Sequence, residues 1–162
     1  MKQINPKHIA KLIPFINNSP LSALLALEIT DMGYGYCNME VCLDKKLHSN
    51  AVGALHGAVY ASAIEVATYW AVYCAAPENS GLVALDLHVD DLATTEGDRI
   101  LIAAKMKKAG KTIFLSEATI TDTTGKQLAY GTSKQMVTQK ATTIHQAILS
   151  AGNEPLPPKY LD

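Results

Sequence analysis

The sequence predicts an α+β domain in which a curved antiparallel sheet of about six strands wraps one long central helix. Three observations predict it. Residues 57–76 read GAVYASAIEVATYWAVYCAA, an apolar helical run whose only charge is Glu65. Two strand-like segments precede this run and four follow it, several alternating apolar with polar residues. A sheet of that kind buries one face, and the 57–76 helix is the only element apolar enough to cover it.

The elements follow in chain order. Residues 6–16 make a short amphipathic helix with Ile9, Leu12, Ile13 and Ile16 on one side, ended by Asn17, Asn18, Ser19 and Pro20. Residues 23–30 and 36–43 are predicted strands around a turn at 31–35; in the second, Cys37, Met39, Val41 and Leu43 alternate with Asn38, Glu40 and Cys42. Residues 45–55 connect to the long helix, which Pro77, Asn79 and Gly81 stop. Strands are predicted at 82–90, 99–108, 112–122 and 127–138, and the short turns at 109–110 and 123–125 make the last three a meander. From Lys140 onward a short helix reaches about residue 151, followed by an arm with Pro155, Pro157 and Pro158. The 162 residues suit one domain: an N-terminal helical arm over 1–20, a core over 21–138 and a C-terminal tail over 139–162.

Composition excludes several classes of function. The formal net charge is -1, so no overall field draws the chain to nucleic acid or an anionic membrane, and aromatics are too few for base-stacking surfaces. Cys37, Cys42 and Cys74 are an odd set; Cys37 and Cys42, five apart on one strand, point to opposite faces. Free thiols and the lack of a signal-peptide pattern imply a reducing, cytoplasmic setting. The 57–76 run is long enough to span a bilayer, but it is rich in Ala, carries a central acid and lacks Lys or Arg anchors. It reads as a buried core helix.

Candidate chemistry gathers around the start of that helix, in the segment HSNAVGALHGA over 48–58. Gly53 and Gly57 permit close backbone approach. His56 and Gly57 fall at the first turn, where N–H groups lack helical partners and the helix dipole is positive, an arrangement that can hold an oxyanion. Asn50 lies on the loop beside them. Glu65 follows His56 by nine residues, with Ser62, Thr68 and Tyr69 three and four positions away as a polar stripe. A lone carboxylate in apolar surroundings has a raised pKa and suits a general base or a nucleophile. The plainer alternatives are a structural buried Glu, a capping His56 and two turn glycines.

The run Asn50-Ala51-Val52-Gly53-Ala54-Leu55-His56-Gly57, followed by Glu65, resembles the signature of hotdog-fold acyl-CoA thioesterases of the PaaI-like group: Asn, then Gly, then His-Gly-Gly, then Asp or Glu nine residues after the His. The likeness extends through Gly97-Asp98, Gly110-Lys111-Thr112 and the hairpin from Asp122 to Lys126, and covers roughly residues 23–138. It implies a hotdog fold and hydrolysis of an acyl-CoA thioester. Glu65 would attack the thioester or activate water, the Gly57 N–H would polarise the carbonyl, His56 would shape that end, and Asn50 would position substrate or water. Thr68, Tyr69 and Ala58 would border the acyl slot. The family builds this site across a dimer, so a homodimer or a dimer of dimers is expected, with coenzyme A present only as part of the substrate and no separate cofactor.

The chain departs from the pattern in places. Ala58 replaces the second Gly of His-Gly-Gly. The hydroxyl one turn beyond the acid is either Thr68 or the bulkier Tyr69, and where one branch carries a Ser before the next strand this chain has Ala84, with Ser80 upstream. Asp90-Asp91 stand in place of an aromatic or basic pair. Four lysines fall within residues 105–111, and the resemblance suggests that Lys108 and Lys111 lie near the coenzyme A phosphates; a soluble hairpin tip is the alternative. Asp86, His88 and Asp90 share a strand face but are spaced too widely to chelate, so no metal is expected. His8, His48 and His145 read as surface or loop residues. Two rival functions remain: a non-catalytic acyl-CoA binding or sensing module, and hydratase chemistry on an enoyl thioester, for which the Asp/His pair is not found.

Overall fold

The structure, a computed structural model, describes residues 3–161. In chain order the elements are α1 (Pro6–Asn17), α2 (Pro20–Leu25), β1 (Leu27–Gly33), β2 (Tyr36–Cys42), α3 (Lys45–His48), α4 (Gly57–Tyr73), β3 (Gly81–Asp91), β4 (Arg99–Ala109), β5 (Ile113–Asp122), β6 (Gln127–Thr138) and α5 (Ile144–Ser150). The six strands form one antiparallel sheet in the order β1-β2-β4-β5-β6-β3. The chain leaves β2, runs through α4 and returns at the far edge as β3, so α4 lies across the sheet and touches every strand. This is the hotdog architecture the sequence predicted.

The inner face is built from the alternation. Cys37, Met39 and Val41 of β2 are buried, as are Ile100, Ile102 and Ala104 of β4 and Ala118 and Ile120 of β5. Against them α4 packs Val59, Ala63, Ile64, Ala67, Ala71 and Val72. Gly131 lets the helix come close: a Cβ there would stand 3.0 Å from the Ile64 Cγ2 atom. Beneath Thr68 the sheet is polar instead. Ser116 Oγ donates to Gln135 Oε1 at 3.0 Å, and Gln135 Nε2 donates to Ser133 Oγ at 2.8 Å, so these buried groups satisfy one another.

Several boundaries differ from the sequence reading. The strand predicted from residue 23 starts at Leu27, because Pro20 opens the short helix α2 and Ala26 closes it in the left-handed region at φ 50°. The connection 45–55 contains the one-turn helix α3, capped by Asp44 through Lys46 N–H. The central helix ends at Tyr73 and not near Ala76. Lys159 from the tail explains the early stop: its ammonium donates to the Tyr73 and Ala76 carbonyls at 2.9 and 2.8 Å, closing the helix end from outside.

The tail is therefore docked. Asn5 Nδ2 donates to the Pro158 carbonyl, Tyr160 Oη donates to the Ala76 carbonyl at 2.6 Å, and Glu78 accepts from the Lys159 N–H at 2.6 Å. Of the histidines expected at the surface or in loops, His8 lies in α1 and His48 in the connecting loop, and both are buried. His8 bonds the Pro157 carbonyl through Nδ1 and Tyr73 Oη through Nε2, at 2.7 and 2.9 Å. His48 accepts the Asp44 N–H at Nδ1, at 2.9 Å, fixing the entry to the loop before α4. Only His145 of the three is exposed.

At the other edge of this arrangement β3 has no neighbour beyond β6. Val83, Leu85 and Leu87 are 39%, 48% and 39% exposed there, a long apolar edge of the kind isolated domains avoid. Cys37 and Cys74 are buried and Cys42 exposed, all three as free thiols. Among the described residues no helix is long and apolar enough to cross a membrane.

Candidate active site

The loop before α4 is a closed ring. His56 N–H donates to the His48 carbonyl at 2.8 Å, and Ser49 and Leu55 form an isolated bridge. Inside it Asn50 Oδ1 accepts the N–H groups of Val52 and Ala54 at 3.0 and 3.1 Å, while Gly53 takes φ 84° at the turn. Asn50 thus builds the loop with its oxygen. Its Nδ2 makes no hydrogen bond to the described residues.

His56 is the N-cap of α4. It adopts extended geometry at φ -75° and ψ 131°, and its Nδ1 accepts the Ala58 N–H at 3.0 Å. The Val59 N–H is bonded to the His56 carbonyl at 2.9 Å. Gly57, the first helical residue, keeps its N–H without a partner among the described residues, directed out of the positive end of a helix of 17 residues. A Cβ here would meet the Asp91 carboxylate, the end of an exposed side chain whose Oδ2 packs against Gly57 from the end of β3.

Glu65 lies two turns further on. Ala58, Ser62, Glu65 and Tyr69 share the side of α4 that its own sheet leaves open, and Glu65 is half-buried. Burial raises its carboxyl above the ordinary value. Tyr69 is pushed up to about 12, by burial first and by the Glu65 charge second. No side-chain hydrogen bond from the described residues reaches the Glu65 carboxylate. Thr68 lies on a different side: it is fully buried, and its Oγ1 donates to the Ile64 and Glu65 carbonyls at 2.7 and 3.0 Å. The polar stripe is therefore Ser62, Glu65 and Tyr69, without Thr68. Ser80 is also occupied, donating to the Pro77 carbonyl at 2.7 Å.

The lysines do not meet Gly57 within one chain. Strand register sets Thr68 beside Ser116 and Ile64 beside Gly131, which pairs with Ala118, so the β4–β5 tip carrying Lys108 and Lys111 projects past the C-terminal half of α4. Both lysines are exposed. Asp86 is bound to Lys134 and His88 pairs with Asp90 at 3.4 Å, and no group of metal-binding side chains is found among the described residues.

Residues 52–129, from the ring loop through β5 into β6, match the family model of the Thioesterase superfamily. Over that segment the chain is similar to thioesterases. The chain is 31% identical over 97 residues to acyl-coenzyme A thioesterase 13 of Mus musculus, and equally to that of Homo sapiens; the match covers 59% of this chain and 66% of each relative, just short of two thirds of their length. Solved structures agree on the fold. A thioesterase of Haemophilus influenzae superposes with TM-score 0.77 at 18% identity, covering 90% of this chain and all of that one (100%). The E. coli PaaI protein, from the phenylacetic acid degradation operon, gives TM-score 0.72 at 19% identity over 82% of this chain and 94% of that one. The matched segment contains Gly57, Glu65 and Asp91 and stops short of the tail. Sequence reasoning missed the Asp91 contact and the buried Lys159, because each joins residues far apart in the chain.

Proposed function

We propose that this protein hydrolyses acyl-CoA thioesters, with Glu65 as general base or nucleophile and the Gly57 N–H as the donor that polarises the thioester carbonyl. The observation that carries the reading is the pairing of a desolvated carboxylate with an unpartnered helix N-terminal amide in a superfamily segment. Its relatives named for acyl-coenzyme A support the substrate class.

The two groups belong to one site only if two copies meet. Eight residues separate Gly57 from Glu65 along one helix, about 12 Å at 1.5 Å per residue, too far for both to touch one thioester. A second copy running antiparallel brings its own Glu65 opposite Gly57. The open β3 edge and the uncovered stripe of α4 are the surfaces such a homodimer would bury. In that site the Gly57 N–H stabilises the charge developing on the carbonyl oxygen while Glu65 delivers water or attacks directly. Lys108 and Lys111, at a solvated tip, would meet the phosphates of coenzyme A.

The test is thiol release from a panel of acyl-CoAs, followed with a chromogenic reagent on wild type and Glu65→Gln. Wild-type turnover that falls by about 100-fold or more in the variant is expected. Full activity in Glu65→Gln would remove the catalytic assignment. Tight acyl-CoA binding without thiol release would point instead to a binding module.

A further inference from the structure

We propose that Asp91 sets the acyl selectivity of this site: its carboxylate, lodged against Gly57, turns away acyl groups that carry a negative charge close to the thioester and admits neutral and cationic ones. The inference rests on the reading in which Gly57 N–H holds the thioester carbonyl.

The geometry is specific to Asp91. It closes β3, opposite Ala129, and its Oδ2 fills the space that a side chain on Gly57 would need. Asp91 forms no ion pair with the described residues, whereas its neighbour Asp90 faces His88 at 3.4 Å. Its field is also felt by the buried Tyr60, one turn into α4, whose phenol rises to about 12 through burial first and Asp91 second. Tyr60 Oη is meanwhile occupied with the Ala93 carbonyl at 3.1 Å, so it offers Asp91 no hydrogen bond. A carbonyl oxygen bound to the Gly57 amide lies about 3 Å from that nitrogen. The first carbons of the acyl group then pass within a few ångströms of an exposed carboxylate that no cation among the described residues pairs, where like charges repel.

The test compares acyl groups of one length that differ only in terminal charge, so that the charges of coenzyme A cancel. For three carbons these are malonyl-, propionyl- and β-alanyl-CoA; the shortest neutral chain that the protein cleaves sets the length. kcat/KM is measured by thiol release for wild type, Asp91→Asn and Asp90→Asn. Wild type should prefer the neutral and cationic members. Asp91→Asn should raise the ratio of anionic to neutral substrate by about 10- to 100-fold and lower that of cationic to neutral, opposite shifts that a merely structural role would not give. Asp90→Asn should keep the wild-type order. An unchanged ratio in Asp91→Asn, or an equal shift in Asp90→Asn, overturns the assignment while leaving the thioesterase reading intact. If wild type releases thiol from no neutral acyl-CoA, the thioesterase reading falls and the selectivity with it.

Discussion

Tyr69 stands one turn beyond Glu65 on the open side of α4, and the Glu65 charge helps to hold its phenol protonated. Neither residue is balanced by a cation among the described residues. The stripe is thus built to make ionisation of Glu65 unfavourable, which is useful for a base and unfavourable for the fold. Replacing Glu65 by Gln should separate these effects. A carboxyl whose folded pKa is raised holds its proton more tightly folded than unfolded. The stability this supports is complete below the ordinary value of 4.5 and is lost as pH rises through the higher folded pKa. At pH 7 the variant should therefore melt above wild type, each kcal/mol of relief corresponding to about 2–4 °C at this size. Below about pH 4 the difference should vanish, as thermal melts at the two pH values would reveal.

The same shift fixes the acid limb of the rate. In the proposed site Glu65 would act as base or nucleophile only as the carboxylate. kcat/KM should rise with pH through a limb lying above 4.5, and the limb should be absent from the residual activity of Glu65→Gln. Tyr69, held up at about 12, stays protonated across the working range and should add no alkaline limb below about pH 10. A pH profile of thiol release checks both statements.

Asn50 offers two atoms with two jobs, and substitutions can tell them apart. Its Oδ1 holds the Val52 and Ala54 N–H groups, while Nδ2 is unengaged. Asn50→Asp keeps the acceptor and should hold the loop, with a melting temperature near wild type. Asn50→Ala loses both loop bonds and should destabilise by about 1–3 kcal/mol. If Nδ2 contacts substrate or water, both variants should lose turnover about tenfold or more, although only one is destabilised. Activity that tracks stability instead would confine Asn50 to loop building.

The fold was legible because its signals are local and repeated. The composition of 57–76 marks α4, and β3 to β6 begin and end within about a residue of their turn signals. The start of β1 was not legible: Pro20 suits either the end of α1 or the first turn of a new helix, and only packing against β1 decides for the second. For the proposed site, Asn50, His56, Gly57 and Glu65 were singled out by their spacing and by the resemblance that it carries. Thr68 could not be told from Ser62, since both sit three positions from Glu65; rotation about the helix buries one and leaves the other partly open. Asp91 beside Gly57 is a contact between residues 34 apart, set by the crossover of α4 to the far sheet edge. Nothing local encodes it.

A lysine among prolines near the end of a chain reads as solvated, yet Lys159 is 1% exposed. Its ammonium donates to the carbonyl of Tyr73, the last residue of α4, and to that of Ala76 in the turn beyond, and lies 4.1 Å from the centre of the Tyr73 ring. A cation placed there offsets the negative end of the helix and adds a donor to each of the two carbonyls. Lys159→Met keeps most of the volume and removes the donors. It should destabilise by about 1–3 kcal/mol, since a charge-assisted contact is gone and the Tyr73 and Ala76 carbonyls keep only the Ala76 N–H and the Tyr160 hydroxyl as donors. Gly57 at the far end of α4 and Glu65 at its middle are held by the rest of the core, so the midpoint of urea unfolding should fall while kcat/KM at 25 °C changes less than threefold. A variant as stable as wild type would show that the tail rests on the helix end without holding it.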